Sequence, residues 1–527
     1  MKKTKYYLPL IYSFLASSII FNCQSKDTIS KKKPNILFCI ADDATWKHMS
    51  AYGTDWIKTP AFDRIADQGL LFNNAYTPNA KCGPSRSIIL TGRNTWQLEE
   101  AANHLAYFPT KFKTYPEALS EKGYHVGYTG KGWAPGTSLN EDGSKRELIV
   151  KAYNKMKTEP PTKGISHVDY AQNFKSFLDK KKSDQPFCFW YGGHEPHRKY
   201  EYGSGVRIGN KKLSELDSVF PYWPQSDIVK NDVLDYAFEL EYFDKQLEEM
   251  LKILQERNEL ENTLIIVTSD NGMPFPRVKG LSYEHSNHLP LAVMWKKGIK
   301  NPGRKINDYV SFIDFAATFL DLTGYDTNDL GMQPIQGKSL KPFFDSNEED
   351  LIEDDKDYVL LGQERHDVGR PNDVGYPIRG IVKNGFLYLL NYKPERWPAG
   401  NPETGYTNTD GSPTKTEILE LRRNNLETKY WNLNFGKHPK EELYNLRTDE
   451  NCLDNLAENK EFQPIKENLK SILESDLKTQ KDPRIIGNDS IFDNYPPDRN
   501  KHFYERYMKG ENVKAGWINK SDFEAKE

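Results

Sequence analysis

Cysteine is scarce in this 527-residue chain. The five residues, Cys23, Cys39, Cys82, Cys188 and Cys452, stand alone, with no CxxC pair and no zinc-like spacing. So thin a supply excludes a disulfide framework and a thiolate-based structural metal. A surplus of charge is also missing, because 72 basic residues face 75 acidic ones for a net charge of −3. With no positive excess to neutralise a phosphate backbone, nucleic acid is excluded as the main partner. No apolar run after the first two dozen residues is long enough to span a bilayer, and no segment repeats. Large side chains are abundant: 26 Phe, 30 Tyr and 10 Trp, with hydrophobic residues at 37%. They suffice for a large core and exclude the disordered and collagen-like classes. At this length two domains are expected. Cys39 and Cys188 lie in apolar runs, where a thiol behaves as a small core residue.

The N-terminus reads Met1-Lys2-Lys3-Thr4-Lys5, an apolar run over residues 6–21, then Asn22-Cys23-Gln24-Ser25. A basic start, a short apolar region and a polar junction describe a secretory signal. The run is short for a membrane span and holds Pro9. Cys23 stands where a bacterial lipoprotein signal places its lipidated cysteine, although Phe21 and Asn22 are larger than the residues usual there. Residues 1–23 are therefore expected to be a signal peptide ending at a lipoprotein cysteine, with plain secretion as the alternative. The mature chain would be exported, as a periplasmic protein or an outer-membrane or cell-surface lipoprotein.

Asn35–Ala41 is a continuous apolar run, the pattern of a parallel strand buried on both faces, and similar runs recur at 187–191 and Thr263–Ser269. Helical stretches lie between them, at 114–122, which opens with a Thr114/Glu117 capping box, and at 236–257. Strands alternating with helices predict an α/β fold, a mostly parallel sheet sandwiched by helices. Past residue 345 the texture changes. An acidic stretch at 347–357 and a Pro/Gly/Asn/Thr-rich one at 391–416 flank a hairpin over 378–391 that turns at Asn384-Gly385. This predicts a first domain over 34–345, a smaller antiparallel one over 358–480, and a polar tail over 481–527.

Polar residues follow each buried run: Asp42 and Asp43 after the first, Gly192, Gly193 and His194 after the second, Asp270 and Asn271 after the third. In doubly wound sheets, ligands bind beyond the carboxyl ends of the strands. Three segments would thus deliver three carboxylates, an amide and an imidazole to one edge. Oxygen donors without thiolates favour Ca²⁺ or Mg²⁺. An Asp after a strand is also a common helix cap, so one pair alone says little. Cys82-Gly83-Pro84-Ser85-Arg86 adds a cysteine at a helix N-terminus, with Pro84 in the first turn and Gly92 at the end. Free amides there favour an anion, and Arg86, four residues on, shares the face.

Cys82-x-Pro84-Ser85-Arg86 is similar to the signature of the formylglycine-dependent sulfatases, in which an enzyme oxidises the cysteine. The resemblance runs over residues 33–482 through Gly130-Lys131, Ser269-Asp270-Asn271-Gly272, Glu442-Leu443-Tyr444-Asn445-Leu446 and Asn455-Leu456-Ala457. It implies an alkaline-phosphatase-like domain with a smaller C-terminal α+β subdomain, one Ca²⁺, a formylglycine-generating maturation enzyme as partner, and sulfate-ester hydrolysis. Asp42, Asp43, Asp270 and Asn271 would bind the metal, with the modified Cys82 completing its shell. Arg86 would hold the formylglycine hydrate, Lys131 and His194 would contact the sulfate and leaving oxygen, and Lys279 would be a further sulfate ligand. One hydroxyl of the hydrate attacks sulfur, and the second then expels sulfate.

One position departs from the family pattern. Relatives commonly carry a histidine two residues after the lysine, whereas Trp133 stands here, and an indole can donate a hydrogen bond but not relay a proton. Either the hydrate is deprotonated differently here, or a histidine from elsewhere, His285, His288 or His366, substitutes. The stretches His194-Glu195-Pro196-His197-Arg198 and Met273-Pro274-Phe275-Pro276 resemble the N-sulfoglucosamine sulfohydrolase branch, which implies an exo-acting enzyme on a sulfated glycan. An O-sulfated algal polysaccharide such as ulvan is the alternative substrate. Glu364, Arg365, His366 and Arg370, with His285, His288 and Trp133, are the expected pocket wall. A phosphonate or phosphodiester hydrolase on the same scaffold, or a glycan-binding lipoprotein without catalysis, are the competing functions.

Overall fold

The three apolar runs become the centre of one sheet. The computed structural model describes residues 1–5, 32–325, 327–352 and 357–526, in two units, Met1–Lys33 and Pro34–Glu527. Cys23 and the apolar run before it lie outside the described residues. Among the described residues no helix is long and apolar enough to cross a membrane. All that follows concerns the second unit.

Its first strands are β1 (Asn35–Ala41), β2 (Leu70–Tyr76), β3 (Ala106–Phe108), β4 (His125–Gly130) and β5 (Gly136–Ser138). Then come β6 (Phe187–Gly192), β7 (Thr263–Ser269), β8 (Leu291–Met294) and β9 (Arg304–Ser311). The main sheet has the order β4-β6-β1-β7-β8-β2-β9, and β3 pairs with β5 in a small separate sheet. Only β8 runs antiparallel to its neighbours. At the centre, β1 pairs in parallel with β6 on one side and β7 on the other.

Strand alternation explains why β1 is apolar throughout. Leu37, Cys39 and Ala41 face one core, which the long helix Asp227–Glu256 covers with Val233, Leu240, Leu247 and Leu251. Ile36, Phe38 and Ile40 face the other, closed by helices Cys82–Thr91, Tyr115–Glu121 and Asp314–Thr323. The capping box appears as expected: Thr114 accepts a hydrogen bond from the Glu117 amide, and Glu117 accepts one from the Thr114 amide. The long helix begins nine residues before its expected start. Its first turns carry polar residues that are buried because they serve neighbours, Asp232 holding Arg198 and Asp235 accepting from the amides of Gly203 and Gly205. Apolar periodicity does not register such residues.

The C-terminal sheet is antiparallel, β10 (Tyr358–Gln363), β11 (Ile378–Lys383), β12 (Phe386–Asn391) and β13 (Glu441–Asn445) in that order. β11 and β12 turn at Asn384 (φ 50°) and Gly385 (φ 73°), the two positive dihedrals of a type I′ hairpin. Both faces of this sheet are buried. Val359, Leu361, Val382 and Leu387 pack with Tyr76, Leu281 and Tyr283, while Leu360, Ile381, Tyr388 and Leu443 pack with helix Gln463–Thr479. The regions 34–345 and 358–480 therefore share a core within one unit. The tail over 481–527 is polar in composition, yet Phe503, Ala515 and Ile518 pack on Leu105 and Val368, and Asp522 forms a buried ion pair with Lys415 at 3.1 Å.

Candidate active site

The carboxyl ends of β1, β6 and β7 meet the N-terminus of helix Cys82–Thr91, whose residues are all buried. Asp43 follows β1 with φ 79°, a left-handed conformation that turns it back toward β7. Its amide donates to Asp270 Oδ1 (3.1 Å), and the next amide, of Ala44, donates to Ser269 Oγ (2.7 Å). These bonds tie the two strand ends together before any side chain is counted. At the end of β4, Gly130 has φ 73°, and a Cβ there would lie 1.9 Å from Gly192 O. Only glycine lets β4 end this close to β6 and deliver Lys131.

Asp42, Asp43, Cys82 and Asp270 bring their ligand atoms within 4.8 Å of one another. Cys82 Sγ lies 3.4 Å from Asp42 Oδ1 and 3.8 Å from Asp43 Oδ1. Asn271 Nδ2 donates to Asp43 Oδ1 at 2.6 Å, while Asn271 Oδ1 is buried and has no protein partner among the described residues. Three cations ring the cluster. Arg86 Nε donates to Asp270 Oδ2 (2.7 Å), and its Nη1 donates to the carbonyls of Lys131 and Gly132 (2.9 and 2.8 Å). Lys131 Nζ forks on Asp42 (2.8 and 2.7 Å), and Lys279 Nζ bridges Asp43 (2.6 Å) and Asp410 (2.9 Å).

The electrostatics follow from burial and these partners. Burial pushes the Asp270 carboxyl up to about 6, with Arg86 opposing and Asp42 adding to the rise. Burial acts the same way on Asp42, but Lys131, then His197 and Arg86, outweigh it and hold that carboxyl well below its ordinary value. Burial, then Asp270, push the Cys82 thiol far up, so an unmodified Cys82 stays protonated and is a poor nucleophile. An orphaned amide oxygen beside three carboxylates fits a hard cation such as Ca²⁺, with His197 Nε2 lying 3.8 Å from Asp43 Oδ2 on the side of Asp410.

A cleft of about 620 Å³ opens above this cluster, within the range usual for small-ligand sites. Lys131, His194 and Lys279, named from the sequence, line it together with Asp42 and Cys82. It is also lined by His104, His197, Asp367, Asp410, Arg499 and Trp517, none of which sequence reasoning selected as a site residue. His104 packs against Gly83, its Nδ1 lies 3.2 Å from Asp367 Oδ1, and Asp367 Oδ2 pairs with Lys81 at 2.7 Å.

The expected wall of His285, His288, His366, Arg370 and Trp133 lies elsewhere. His285 is buried against Phe220 (4.3 Å between ring centroids), and His288 is stacked between Trp46 and Tyr76 with Nδ1 2.6 Å from Glu284. His366 is buried with Nε2 2.7 Å from Asn79 Oδ1. Trp133 donates its indole N–H to Gly83 O (3.1 Å) and Ser87 Oγ (2.7 Å), bracing the helix that carries Cys82 from outside the cleft. Glu364 is spent on Arg379 (2.7 Å) and Arg484 (2.9 Å), and Arg365 donates to Tyr495 O (2.6 Å). Arg370 is buried and donates to the carbonyls of Trp397 and Pro398 (2.9 and 2.7 Å). It therefore braces the loop that carries Trp397 and Pro398 and is not among the residues that line the cleft. Arg370→Ala is expected to cost about 2–4 kcal/mol, because two charge-assisted bonds to buried carbonyls are lost. Thermal unfolding would show a lowered Tm, and an unchanged Tm with a raised KM would return Arg370 to the substrate.

A mostly parallel sheet sandwiched by helices, with this cluster at its carboxyl edge and a second, smaller antiparallel sheet, has the alkaline-phosphatase-like architecture. Residues 34–325 match the family model described as sulfatase, and residues 278–374 the one described as N-sulphoglucosamine sulphohydrolase, C-terminal. The chain belongs to the sulfatase family. It is 26% identical over 466 residues to an ulvan-active sulfatase of Formosa agariphila, covering 87% of this chain and 82% of that one. It is also 26% identical over 493 residues to the human N-sulphoglucosamine sulphohydrolase, covering 87% and 93%. Among solved structures, one in complex with its substrate D-glucosamine-2-N,6-O-disulfate superposes with a TM-score of 0.59 at 21% identity, covering 86% of this chain and 99% of that one.

Proposed function

We propose that this sulfatase carries formylglycine at position 82, holds one Ca²⁺ or an equivalent hard cation, and removes sulfate from a terminal sugar of a sulfated glycan. What supports this is the convergence of Cys82, the oxygens of Asp42, Asp43, Asp270 and Asn271, and three cations at the floor of one cleft. When bound, the metal and the oxidised Cys82 would together supply an activated oxygen nucleophile. The chain's own residues do the rest. Arg86 is locked by Asp270 and two carbonyls before substrate arrives, so its charge needs no reorganisation. Lys131 and Lys279 line the cleft beside Cys82, where their ammonium groups would offset charge on sulfuryl oxygens. His194 lines the cleft, its imidazole pKa lowered to about 4 chiefly by burial and the ring so neutral at rest, and there it would exchange a proton with the leaving group.

The glycan reading rests on the relatives, whose names include ulvan-active and N-sulphoglucosamine enzymes. The exo reading rests on the C-terminal segment that forms part of the cleft wall through Arg499 and Trp517. Sulfate release from N-sulfated glucosamine, O-sulfated ulvan oligosaccharides and matched phosphate esters tests both the class and the substrate. Faster hydrolysis of the phosphates than of every sulfate would overturn the reading. A basic leader ending in Cys23 supports export and lipid anchoring. Wild type is expected in the membrane fraction and Cys23→Ala in the soluble fraction. Equal release of both would refute the anchor.

A further inference from the structure

The cations on the cleft floor are already engaged. Lys131 sits on Asp42, Lys279 on Asp43 and Asp410, and Lys81 on Asp367. Arg198 is likewise forked on Asp232 at 2.7 and 2.9 Å. Arg499 differs from all of these. Its side chain is 51% exposed while its partner Asp498 is 1% exposed. Asp498 is fixed from behind, its amide donating to Leu105 O (2.8 Å) and its Oδ2 accepting from Thr137 Oγ1 (2.9 Å). Arg499 Nε and Nη2 fork on this carboxylate at 3.0 and 2.6 Å, and Nη1 has no protein partner among the described residues. An arginine serving only solubility needs no buried carboxylate to orient it. This one is held like a reader of planar anions, with one edge of the guanidinium anchored and the other presented.

Trp517 comes to the same cleft from further along the tail. Its indole N–H is spent on Thr407 O (2.8 Å), and its carbonyl accepts from the Gly411 amide (2.8 Å). The ring is thereby pinned, and with Leu105 and Pro135 it contributes apolar surface to the cleft. Such a surface suits the C–H face of a pyranose. Residues 498–517 lie beyond both matched family regions, which end at residues 325 and 374. This wall is built by the chain's own C-terminal segment.

The geometry points to a second anion-binding position in the cleft, formed by Arg499, in a wall to which Trp517 also contributes. It would take the carboxylate or further sulfate of an acidic glycan whose scissile sulfate meets position 82. This rests on the glycan reading above and deepens it, by requiring at least two anionic groups on the preferred substrate.

The test is binding without turnover, by calorimetry on the Cys82→Ala protein loaded with Ca²⁺. The probes are a monosulfated glucosamine, a disulfated glucosamine and a monosulfated disaccharide containing a uronic acid. A second anion is expected to tighten binding by about tenfold, the scale of one charge-assisted pair. Adding Arg499→Ala should remove that gain, and Arg499→Lys should keep part of it. Whichever probe shows the gain, disulfate or uronate, identifies the anion. A gain that survives Arg499→Ala overturns the second position while leaving the glycan reading intact. Failure of all three probes to bind the parent overturns both. Thermal unfolding of each variant separates lost binding from lost fold.

Discussion

Cys82→Ala is expected to abolish turnover, by at least about a thousandfold, while leaving the fold intact. Cys82 opens a fully buried helix, and among the described residues its sulfur has the carboxylates of Asp42 and Asp43 as its polar partners. Deleting one small group beside two acids removes little packing, since the apolar contacts of the helix lie further along, at Ile88, Ile89 and Leu90, and its C-cap is Gly92. The chemical consequence is of another order. Burial, then Asp270, push the thiol's pKa far up, so the unmodified side chain is a poor nucleophile and the proposed oxidation would be what makes it reactive. Mass spectrometry of the Cys82 peptide from active protein should show aldehyde in place of thiol. Cys82→Ser would keep a hydroxyl and the shape of the site, yet lack the second hydroxyl of a hydrate, so it should not cycle. Full activity from protein whose Cys82 peptide is entirely thiol would sink the formylglycine reading.

The parallel core was legible because β1, β6 and β7 are buried on both faces, so their apolar runs are uninterrupted and their ends sharply marked by Asp42, Gly192 and Asp270. The carboxylate cluster was legible for the same reason, since a strand's end says where its next residue goes. The cleft wall was not. Asp367 stands one residue after His366, yet Asp367 lines the cleft and His366 is buried on Asn79. Residue type does not state direction where no period fixes it. His285 and His288 make the same point, because aromatic stacking and Glu284 take imidazoles that looked free in sequence. Asp410 comes from a loop read only as Pro/Gly-rich, and Arg499 and Trp517 from a stretch whose low periodicity resembled a tail. The signal that such a tail folds was its few large apolar residues, Phe503 and Ile518, too sparse to form a pattern but enough to dock it on Leu105 and Val368.

Asp43→Asn is expected to lose bound metal and activity together, with kcat/KM down by at least about a thousandfold, the several kcal/mol a bound cation contributes to charge stabilisation. Asparagine is the informative replacement. It matches the shape, tolerates the left-handed φ of 79° that alanine would resist, and leaves Lys279 its second partner Asp410 at 2.9 Å. What it removes is one negative charge from a set of three carboxylates, and hard-cation affinity follows that count. The remaining oxygens of Asp42, Asp270 and Asn271 would still converge, but Asp42 is engaged by Lys131 and Asp270 by Arg86, so the site could no longer balance a divalent ion. Elemental analysis should find about one calcium per wild-type chain and far less in the variant, with thermal unfolding of the metal-free proteins nearly equal. Added Ca²⁺ should raise the Tm of wild type and not of Asp43→Asn, because only a folded site binds it. Stoichiometric zinc in the wild type would contradict the assignment, since carboxylate and amide oxygens do not select that ion. Full activity after exhaustive chelation would show that Lys131, Lys279 and Arg86 stabilise the reacting charge alone.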